Sequence, residues 1–360
     1  MTGPRQMETT VHPVRRAVLA ITVLVLLAGL TTACGSDSDS SSPTTSTANT
    51  PAGDAAVFPV EVEHAFGTTE VAWRPKRVVS VGVTEQDTIL ALGVIPVGVT
   101  EWYGEQPFAT WPWAQDALGD AEPTVLSVAD GFQYERIAAL KPDLIIGTNA
   151  GIDEDTYPKL AAIAPTIAQP ADGASAYFSA WDDQTVLIGR ALGLEAEAKG
   201  MIEDVEADFA EAAADHPEFE GTKAIFLQNA FYDGEAIAYQ DGLSTEFLSD
   251  LGFVVPSEIT EFAESEMVQA QIPLEQLDVL NVADVLIWGT ESPEDRSGLE
   301  EEPLYRALEP VEDDRLVFTD GTTAGAIYFT SLLSLPYVLD RLVPALADAL
   351  GGKGPATIDS

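Results

Sequence analysis

Two glutamates begin two copies of one segment, and their chemistry suits pairing with basic groups on a partner. The first copy runs from Glu135 to Gly147 and the second from Glu275 to Gly289. In each, a leucine follows five positions after the glutamate, and an aspartate then precedes an apolar run that ends in glycine. An exposed carboxylate forms charge-assisted, bidentate pairs with arginine. A glutamate in a helix's first turn also complements the helix dipole by ~0.3–1 kcal/mol, so simple capping is the alternative interpretation.

Aromatic residues follow several predicted strands. In parallel sheets, ligands bind at the loops that follow the carboxyl ends of the strands. Rings on equivalent loops of two lobes would clamp an amphiphilic ligand, although some of them will instead pack in the core. The predicted ligand contacts are Trp102, Tyr103, Phe231, Tyr232, Tyr239, Trp288 and Tyr328. Glu101 and Asp233 are expected at the rim of the same cleft.

Metal binding and catalysis are both disfavoured by the residues present. Only His64 and His216 remain after removal of a signal peptide, about 150 positions apart, whereas bare Zn²⁺ or Mn²⁺ sites use clustered ligands. The chain has no Gly-x-Ser-x-Gly elbow and no phosphate-binding glycine motif. We therefore expect a binding protein with no catalytic residues, no metal site and no cofactor, whose ligand is a preformed chelate.

The N-terminus resembles the signal peptide of a bacterial lipoprotein. Arg15 and Arg16 precede an apolar stretch that is too short to span a membrane, and small residues lead to Cys34, the only cysteine. This pattern predicts a signal peptide over residues 1–33, lipidation of Cys34 and a flexible tether over 34–56, which is rich in Ser, Thr, Asp, Ala and Pro. The predicted location is extracytoplasmic, on a membrane. An ordinary signal peptide with an incidental cysteine is the alternative.

The net negative charge of the chain excludes some classes of partner. Removing the three Arg and one Glu of the signal peptide from 17 basic and 59 acidic residues leaves 14 and 58, a net charge of −44. Nucleic acid is excluded as a partner, because phosphate binding needs clustered basic residues. An anionic membrane would also repel such a body, so a lipid anchor is the favoured attachment.

Strand and helix patterns alternate along both halves of the mature chain. Short buried runs at 77–81, 94–99, 143–146, 223–227, 284–287 and 315–318 predict strands, and helical spacing predicts helices at 84–92, 177–192, 195–214, 245–251 and 330–350. This order predicts an α/β fold of two similar lobes with parallel sheets flanked by helices, bridged by one long helix, with the ligand cleft between them. The predicted divisions are an N-terminal lobe over 57–194, a bridging helix over 195–216, a C-terminal lobe over 217–352 and a tail over 353–360.

Several motifs together resemble the iron-siderophore and cobalamin group of ABC-importer substrate-binding proteins. They are Pro75–Ser80, Ile89–Gly93 with Pro96–Val99, Glu135–Gly147, Trp181–Thr185 with Ile188–Gly193, and Leu335–Asp340. The resemblance spans about Val57 to Leu350. It implies two α/β lobes bridged by a helix, a ligand held between them, and one glutamate per lobe docked onto arginines of the permease. Those glutamates would be Glu135 and Glu275.

These observations predict a monomeric, lipid-anchored protein that delivers a ferric siderophore to an ABC permease. Lys223 and Arg296 are the only basic residues near the predicted cleft loops. A tri-anionic catecholate would be costly to desolvate there, so a neutral or cationic hydroxamate chelate is favoured. Cobalamin or haem as ligand, and a surface lipoprotein without a transport role, remain open alternatives.

Overall fold

The protein is described here by a computed structural model covering residues 57–101, 103–171, 177, 179–265 and 268–358. The predicted signal peptide, Cys34, the tether over 34–56 and Trp102 lie outside these residues. None of the helices in the described part of the chain combines the length and the apolar character of a membrane-spanning segment.

The N-terminal lobe is built on a fully parallel five-stranded sheet that follows a short antiparallel hairpin. The hairpin pairs β1 (Val60–His64) with β2 (Gly67–Val71). The sheet has the order β5-β4-β3-β6-β7. Its strands are β3 (Val78–Ser80), β4 (Gly98–Glu101), β5 (Thr124–Ser127), β6 (Leu144–Gly147) and β7 (Thr166–Ala168). The helices of this lobe are α1 (Glu85–Ala91), α2 (Gln115–Leu118), α3 (Tyr134–Ala139), α4 (Tyr157–Ala161) and α5 (Trp181–Leu192).

A 21-residue helix, α6 (Glu195–Asp215), follows directly after α5. Gly193 ends α5 in a left-handed conformation (φ +70°), which residues with a Cβ adopt less readily. A Cβ at Gly189 would lie only 2.5 Å from the Ala198 Cβ, so the glycine is needed for α5 and α6 to pack closely. The apolar residues Ile202, Val205 and Phe209 of α6 belong to the core of the C-terminal lobe.

The C-terminal lobe has a six-stranded sheet that is only partly parallel. Its order is β10-β9-β8-β11-β12-β13, in which β8, β11, β12 and β13 run parallel and β8, β9 and β10 form antiparallel pairs. The strands are β8 (Ala224–Tyr232), β9 (Glu235–Ala238), β10 (Ala270–Pro273), β11 (Val285–Gly289), β12 (Leu316–Phe318) and β13 (Ala356–Thr357). The helices are α7 (Glu246–Asp250), α8 (Pro293–Glu301), α9 (Glu309–Glu312), α10 (Gly321–Tyr328) and α11 (Ser334–Leu350). In the two lobes together, the described residues also form 3₁₀ helices at Pro107–Ala109, Pro112–Ala114, Pro217–Phe219, Ser257–Phe262, Leu274–Val282 and Tyr305–Ala307.

The predicted fold class is confirmed, with local differences. The strand expected at 94–99 forms at Gly98–Glu101, because Gly93 (φ +74°) ends the preceding helix and the Val94 amide still donates to Ile89 O. The segment around Glu275 is a 3₁₀ helix with a kink at Gln276 (φ −117°), so the two glutamate-led segments differ in local structure. The segment after residue 352 was expected to be a tail, yet β13 within it adds the last strand to the second sheet.

Candidate ligand-binding cleft

A cleft of about 640 Å³ lies between the two lobes at the carboxyl ends of parallel strands. The N-terminal lobe contributes the loop after β4, and the C-terminal lobe contributes the loops after β11 and β12, where α/β folds hold ligands. The principal lining residues are Tyr103, Gln106, Trp111, Glu291, Arg296, Phe318 and Asp320.

Trp111 forms the aromatic wall on the N-terminal side. Its ring stacks on Trp113 at 5.0 Å between ring centres and meets Tyr103 at 5.2 Å. A Cβ on Gly325 of α10 would come within 2.6 Å of the Trp111 ring, so this ring packs directly against the backbone of the opposite lobe. The absence of a side chain at Gly325 therefore allows an aromatic contact between the lobes.

Glu291 is the polar centre of the cleft. It follows β11 by two residues and accepts a hydrogen bond from the Tyr103 hydroxyl across the cleft. The Tyr328 hydroxyl lies 3.2 Å from a Glu291 oxygen and donates to Gly289 O over 2.8 Å. Tyr103 and Glu291 also line a second cavity of about 290 Å³, together with Gln228, Tyr239, Gln269, Tyr328 and Phe329. The Tyr103–Glu291 contact thus separates two neighbouring cavities.

The three tyrosines of these cavities remain protonated at neutral pH. Burial and the Glu291 carboxylate raise the pKa values of the Tyr103 and Tyr328 hydroxyls, and burial raises the pKa of Tyr239 to about 12. Neutral phenols donate hydrogen bonds and offer aromatic surface. They are poor ligands for a bare metal ion, and no cluster of three or more His, Cys, Asp or Glu in the described residues could hold one.

Carboxylates outnumber cations around the cleft. Glu291, Asp295 and Asp320 all act electrostatically on Tyr103. Asp320 caps α10 by accepting from the Thr323 amide at 2.7 Å, and its other oxygen is buried without a hydrogen-bond partner among the described residues. Arg296 is the only basic side chain among the described residues that line either cavity.

Arg296 is already engaged within its own lobe. It donates to Glu300 at 2.7 Å and to the Thr357 hydroxyl at 3.0 Å, and it lies over the Phe318 ring at 4.4 Å. The charge around the cleft is therefore negative, and its one arginine among the described residues is already paired.

Inter-lobe contact is reinforced by a buried carboxylate behind the aromatic wall. Asp87 of α1 accepts from Trp113 Nε1 and from the Ser331 hydroxyl of the opposite lobe, each at 2.7 Å. Burial raises the pKa of Asp87 to about 6. Burial also raises the pKa of the neighbouring Glu85 to about 7, against the effect of bonds from the Asn149 and Thr84 amides.

The seven predicted ligand contacts lie in different parts of the molecule. Tyr103, Tyr239 and Tyr328 line the cavities. Trp288 corrects the prediction, because its side chain is 0% exposed and packs edge-on against Phe231 and Tyr305 in the core. Phe231, also predicted as a ligand contact, packs against this core and lines neither cavity. Tyr232 is 71% exposed at the end of the β8–β9 hairpin and lines neither cavity, and Trp102 lies outside the described residues.

The charged residues named from sequence need similar adjustment. Lys223 precedes β8 at the amino end of the strand, which is the end away from the cleft. Its backbone amide donates to the Asp284 carboxylate. Glu101 is half-buried at the end of β4, whereas Asp233 is exposed in the β8–β9 turn. Sequence reasoning missed Glu291 and Asp320 as cleft carboxylates. Their positions two residues after β11 and β12 were the available signal.

The two candidate docking glutamates are exposed and have no ion pair within the described part of the chain. Glu135 lies in the first turn of α3, and Glu275 lies at the start of the 3₁₀ helix Leu274–Val282. The histidines have other roles. His64 is buried beside Thr69 (2.9 Å) and Tyr157 (3.3 Å), and His216 contacts Glu218 on the surface.

The fold and its inter-lobe cleft define a two-lobed solute-binding protein. A family model described as periplasmic binding protein matches residues 78–323, and the chain belongs to this family. A probable siderophore-binding lipoprotein, YfiY of Bacillus subtilis, is 30% identical over 259 residues, covering 70% of this chain and 72% of that protein.

Solved structures agree with this assignment. A periplasmic solute-binding protein from Mycobacterium smegmatis is 47% identical with a TM-score of 0.76, covering 81% of this chain and 99% of the other. PiaA of Streptococcus pneumoniae in complex with ferrichrome is 25% identical with a TM-score of 0.70, over the same shares of the two chains.

Proposed function

We propose that this protein captures a ferric siderophore of neutral or positive charge, favouring the hydroxamate class, and delivers it to an ABC permease. The observation that carries the proposal is the cleft itself. It has aromatic and phenolic walls, three nearby carboxylates and one guanidinium that is already engaged.

The donor set favours a complete chelate over a bare ion. Protonated phenols and scattered carboxylates cannot replace the coordination shell of a ferric ion, whereas a siderophore brings its own ligand atoms. The protein then supplies a shaped surface with a few polar contacts, as ligand pockets commonly do. The likeness to YfiY and to the ferrichrome complex of PiaA supports this ligand class.

The electrostatics select among ferric chelates. A tri-anionic catecholate would face Glu291, Asp295 and Asp320 with one engaged arginine as its counter-charge, and an uncompensated buried charge is costly. A cationic chelate would gain from the same carboxylates, because opposite charges attract strongly where solvent is partly excluded. Trp111 and Tyr103 would add aromatic contact, with ~0.5–1 kcal/mol for each cation placed over a ring.

Delivery would use the two exposed glutamates and a lipid anchor. Glu135 and Glu275 would each pair with an arginine of the permease, which fixes orientation as well as adding binding energy.

Cys34 would carry the lipid that keeps a monomeric body at the outer surface of the membrane. The Cys34→Ala variant should then be released into the medium or remain unprocessed.

Native mass spectrometry of the purified protein tests the ligand class. We expect a one-to-one complex with a ferric hydroxamate and no retention of haem, cobalamin, ferric salts or zinc salts. A stable complex with bare metal, or with haem or cobalamin in preference to every siderophore, would contradict the proposal.

A further inference from the structure

One edge of the N-terminal lobe is basic, although the mature chain carries a net charge of −44. The segment between β2 and β3 carries Trp73, Arg74, Lys76 and Arg77, and Lys141 precedes β6 on the neighbouring loop. We call these five residues the basic edge. Arg77 joins the two loops by donating to the carbonyls of Leu140 (2.6 Å) and Lys141 (3.2 Å).

A single carboxylate is bound within this edge. Asp143 accepts from the backbone amides of Lys76 and Arg77 at 2.8–3.0 Å, which fixes the loop conformation. Four basic side chains therefore accompany one acid. The hairpin before them carries exposed Glu61, Glu63 and Glu70, so the positive region is local and bounded.

Trp73 adds an apolar ring to the same edge. It is 65% exposed, the most exposed of the described tryptophans. Tryptophan next to Lys and Arg is the composition found at membrane–water interfaces, where the ring lies at headgroup depth and the cations pair with phosphate. No part of the proposed capture or delivery uses this tryptophan.

The basic edge lies where the chain leads toward the proposed anchor. Val57, the first described residue, borders a depression of about 470 Å³ that is lined by Arg74 and also by Glu195 and Glu197. Between Cys34 and Val57 there are 22 residues, which span at most about 75–80 Å when fully extended. A lipid on Cys34 would therefore allow this edge to reach the bilayer surface, and the preference for this edge must come from its charge and from Trp73.

We propose that the basic edge rests on anionic lipid headgroups and orients the anchored protein on the membrane. This inference rests on the proposed lipidation of Cys34. Arg77 and Lys141 precede β3 and β6, at the amino ends of the parallel strands, whereas Tyr103 follows β4 at the opposite, carboxyl end. The cleft therefore points away from the lipid contact, and so does Glu135, because α3 follows the carboxyl end of β5. This orientation is that of the protein while it captures ligand, and the lipid contact is released when Glu135 and Glu275 meet the permease. The acidic remainder of the surface is repelled by the same lipids, so one orientation is selected.

An environment-sensitive fluorophore beside Trp73 tests this contact in the full-length, lipidated protein. Lipidation consumes the only native thiol, so Ala72→Cys provides one labelling position on an exposed residue. The protein is inserted into vesicles of phosphatidylcholine, with or without phosphatidylglycerol. We expect a blue shift and loss of quenching by aqueous iodide only when phosphatidylglycerol is present, and reversal of both by high salt.

Charge reversal identifies the surface responsible. Lys76→Glu with Lys141→Glu should abolish the blue shift, and the matched control Lys159→Glu with Lys353→Glu, also exposed lysines, should preserve it. An equal shift on neutral vesicles, no shift on anionic ones, or a shift that survives reversal of Lys76 and Lys141 would overturn the inference. So would mass spectrometry showing that Cys34 carries no lipid.

Ligand binding by the same preparations separates this inference from the proposed function. Quenching of tryptophan fluorescence by a ferric hydroxamate should be equal in the labelled protein and both double variants. If no siderophore binds while the lipid-dependent shift persists, the proposed ligand is wrong and the membrane contact stands.

Discussion

The two lobes contribute differently to one cleft. The N-terminal lobe, with its wholly parallel sheet, brings the rings of Tyr103 and Trp111. The C-terminal lobe brings the charged groups, namely Glu291, Arg296 and Asp320. The repeated segment in the sequence therefore indicates similar scaffolds without predicting similar ligand contacts. In the proposed function, rings from both lobes supply contact area, and the charged groups of the C-terminal lobe select the ligand.

Removal of the two glutamates proposed for docking should give the largest effect, and it tests whether the lobes are equivalent on their outer surfaces. Glu135→Ala with Glu275→Ala should leave ligand affinity unchanged, because neither residue lines a cavity of the cleft. Each lost charge-assisted contact is worth ~1.5–3 kcal/mol, so uptake of the labelled siderophore should fall by about tenfold or more for each residue.

Matched controls for docking are available on both lobes. Glu154→Ala with Glu312→Ala removes two exposed carboxylates elsewhere and should leave uptake at the wild-type rate. Normal import by the Glu135/Glu275 double variant would remove the docking role. A defect confined to one of the two single variants would show that only one lobe engages the permease.

The second-largest expected effect concerns the buried Asp87, which should make the stability of the protein depend on pH. Its pKa is raised from 3.8 to about 6 in the folded state, so the folded protein binds the proton more tightly than the unfolded chain does. The stability contributed by this group is present below the unfolded pKa and is lost as pH rises through the folded pKa. A shift of this size corresponds to about 3 kcal/mol.

Thermal or urea unfolding of Asp87→Asn checks this sign. As the pH falls from about 7 to about 4, the free energy of unfolding of the wild type should rise relative to that of the variant. Asp116→Asn removes an exposed carboxylate on the same lobe and serves as the control. Its free energy of unfolding should change with pH as that of the wild type does. A wild-type advantage that grows toward high pH would mean that Asp87 is stabilised in its charged form.

The two tyrosines that contact Glu291 should differ in how much their removal lowers the free energy of unfolding, and this effect is smaller. Tyr328 is buried and bonds to Gly289 O within its own lobe, so Tyr328→Phe should lower the free energy of unfolding by ~1–3 kcal/mol. Tyr103 is only half-buried at the cleft, and Tyr103→Phe should cost ~0.5 kcal/mol or less, because water can replace its bond. Urea midpoints measure both. Equal losses would show that the cross-cleft bond holds the lobes together.

The sequence predicted elements that local pattern determines. Short buried apolar runs located β3, β6 and β11, and the helix predicted over 177–192 ends at Leu192, as α5 does. The antiparallel β9 and β10 were missed, because Glu235–Ala238 and Ala270–Pro273 are short and lack the flanking helices that mark a parallel strand.

Local sequence pattern could not predict which side chains face the cleft. Trp288 and Glu291 lie three residues apart, yet one is enclosed by Phe231 and Tyr305 and the other faces the cleft. Strand ends indicate where a ligand binds, but the neighbouring elements decide which side chains it meets. The family resemblance predicted the two-lobed architecture and could not assign these contacts.

The central claim, that the C-terminal lobe selects ferric chelates by negative charge, is tested most directly by a fluorescence titration. Wild type and Glu291→Gln are titrated with cationic ferrioxamine B, neutral ferrichrome and a tri-anionic ferric catecholate, with the exposed Glu294→Gln as the matched control. We expect sub-micromolar hydroxamate binding by the wild type and a loss of about tenfold for ferrioxamine B in Glu291→Gln. Ferrichrome should change less, and Glu294→Gln should match the wild type. Strong preference of the wild type for the catecholate over both hydroxamates would contradict the account.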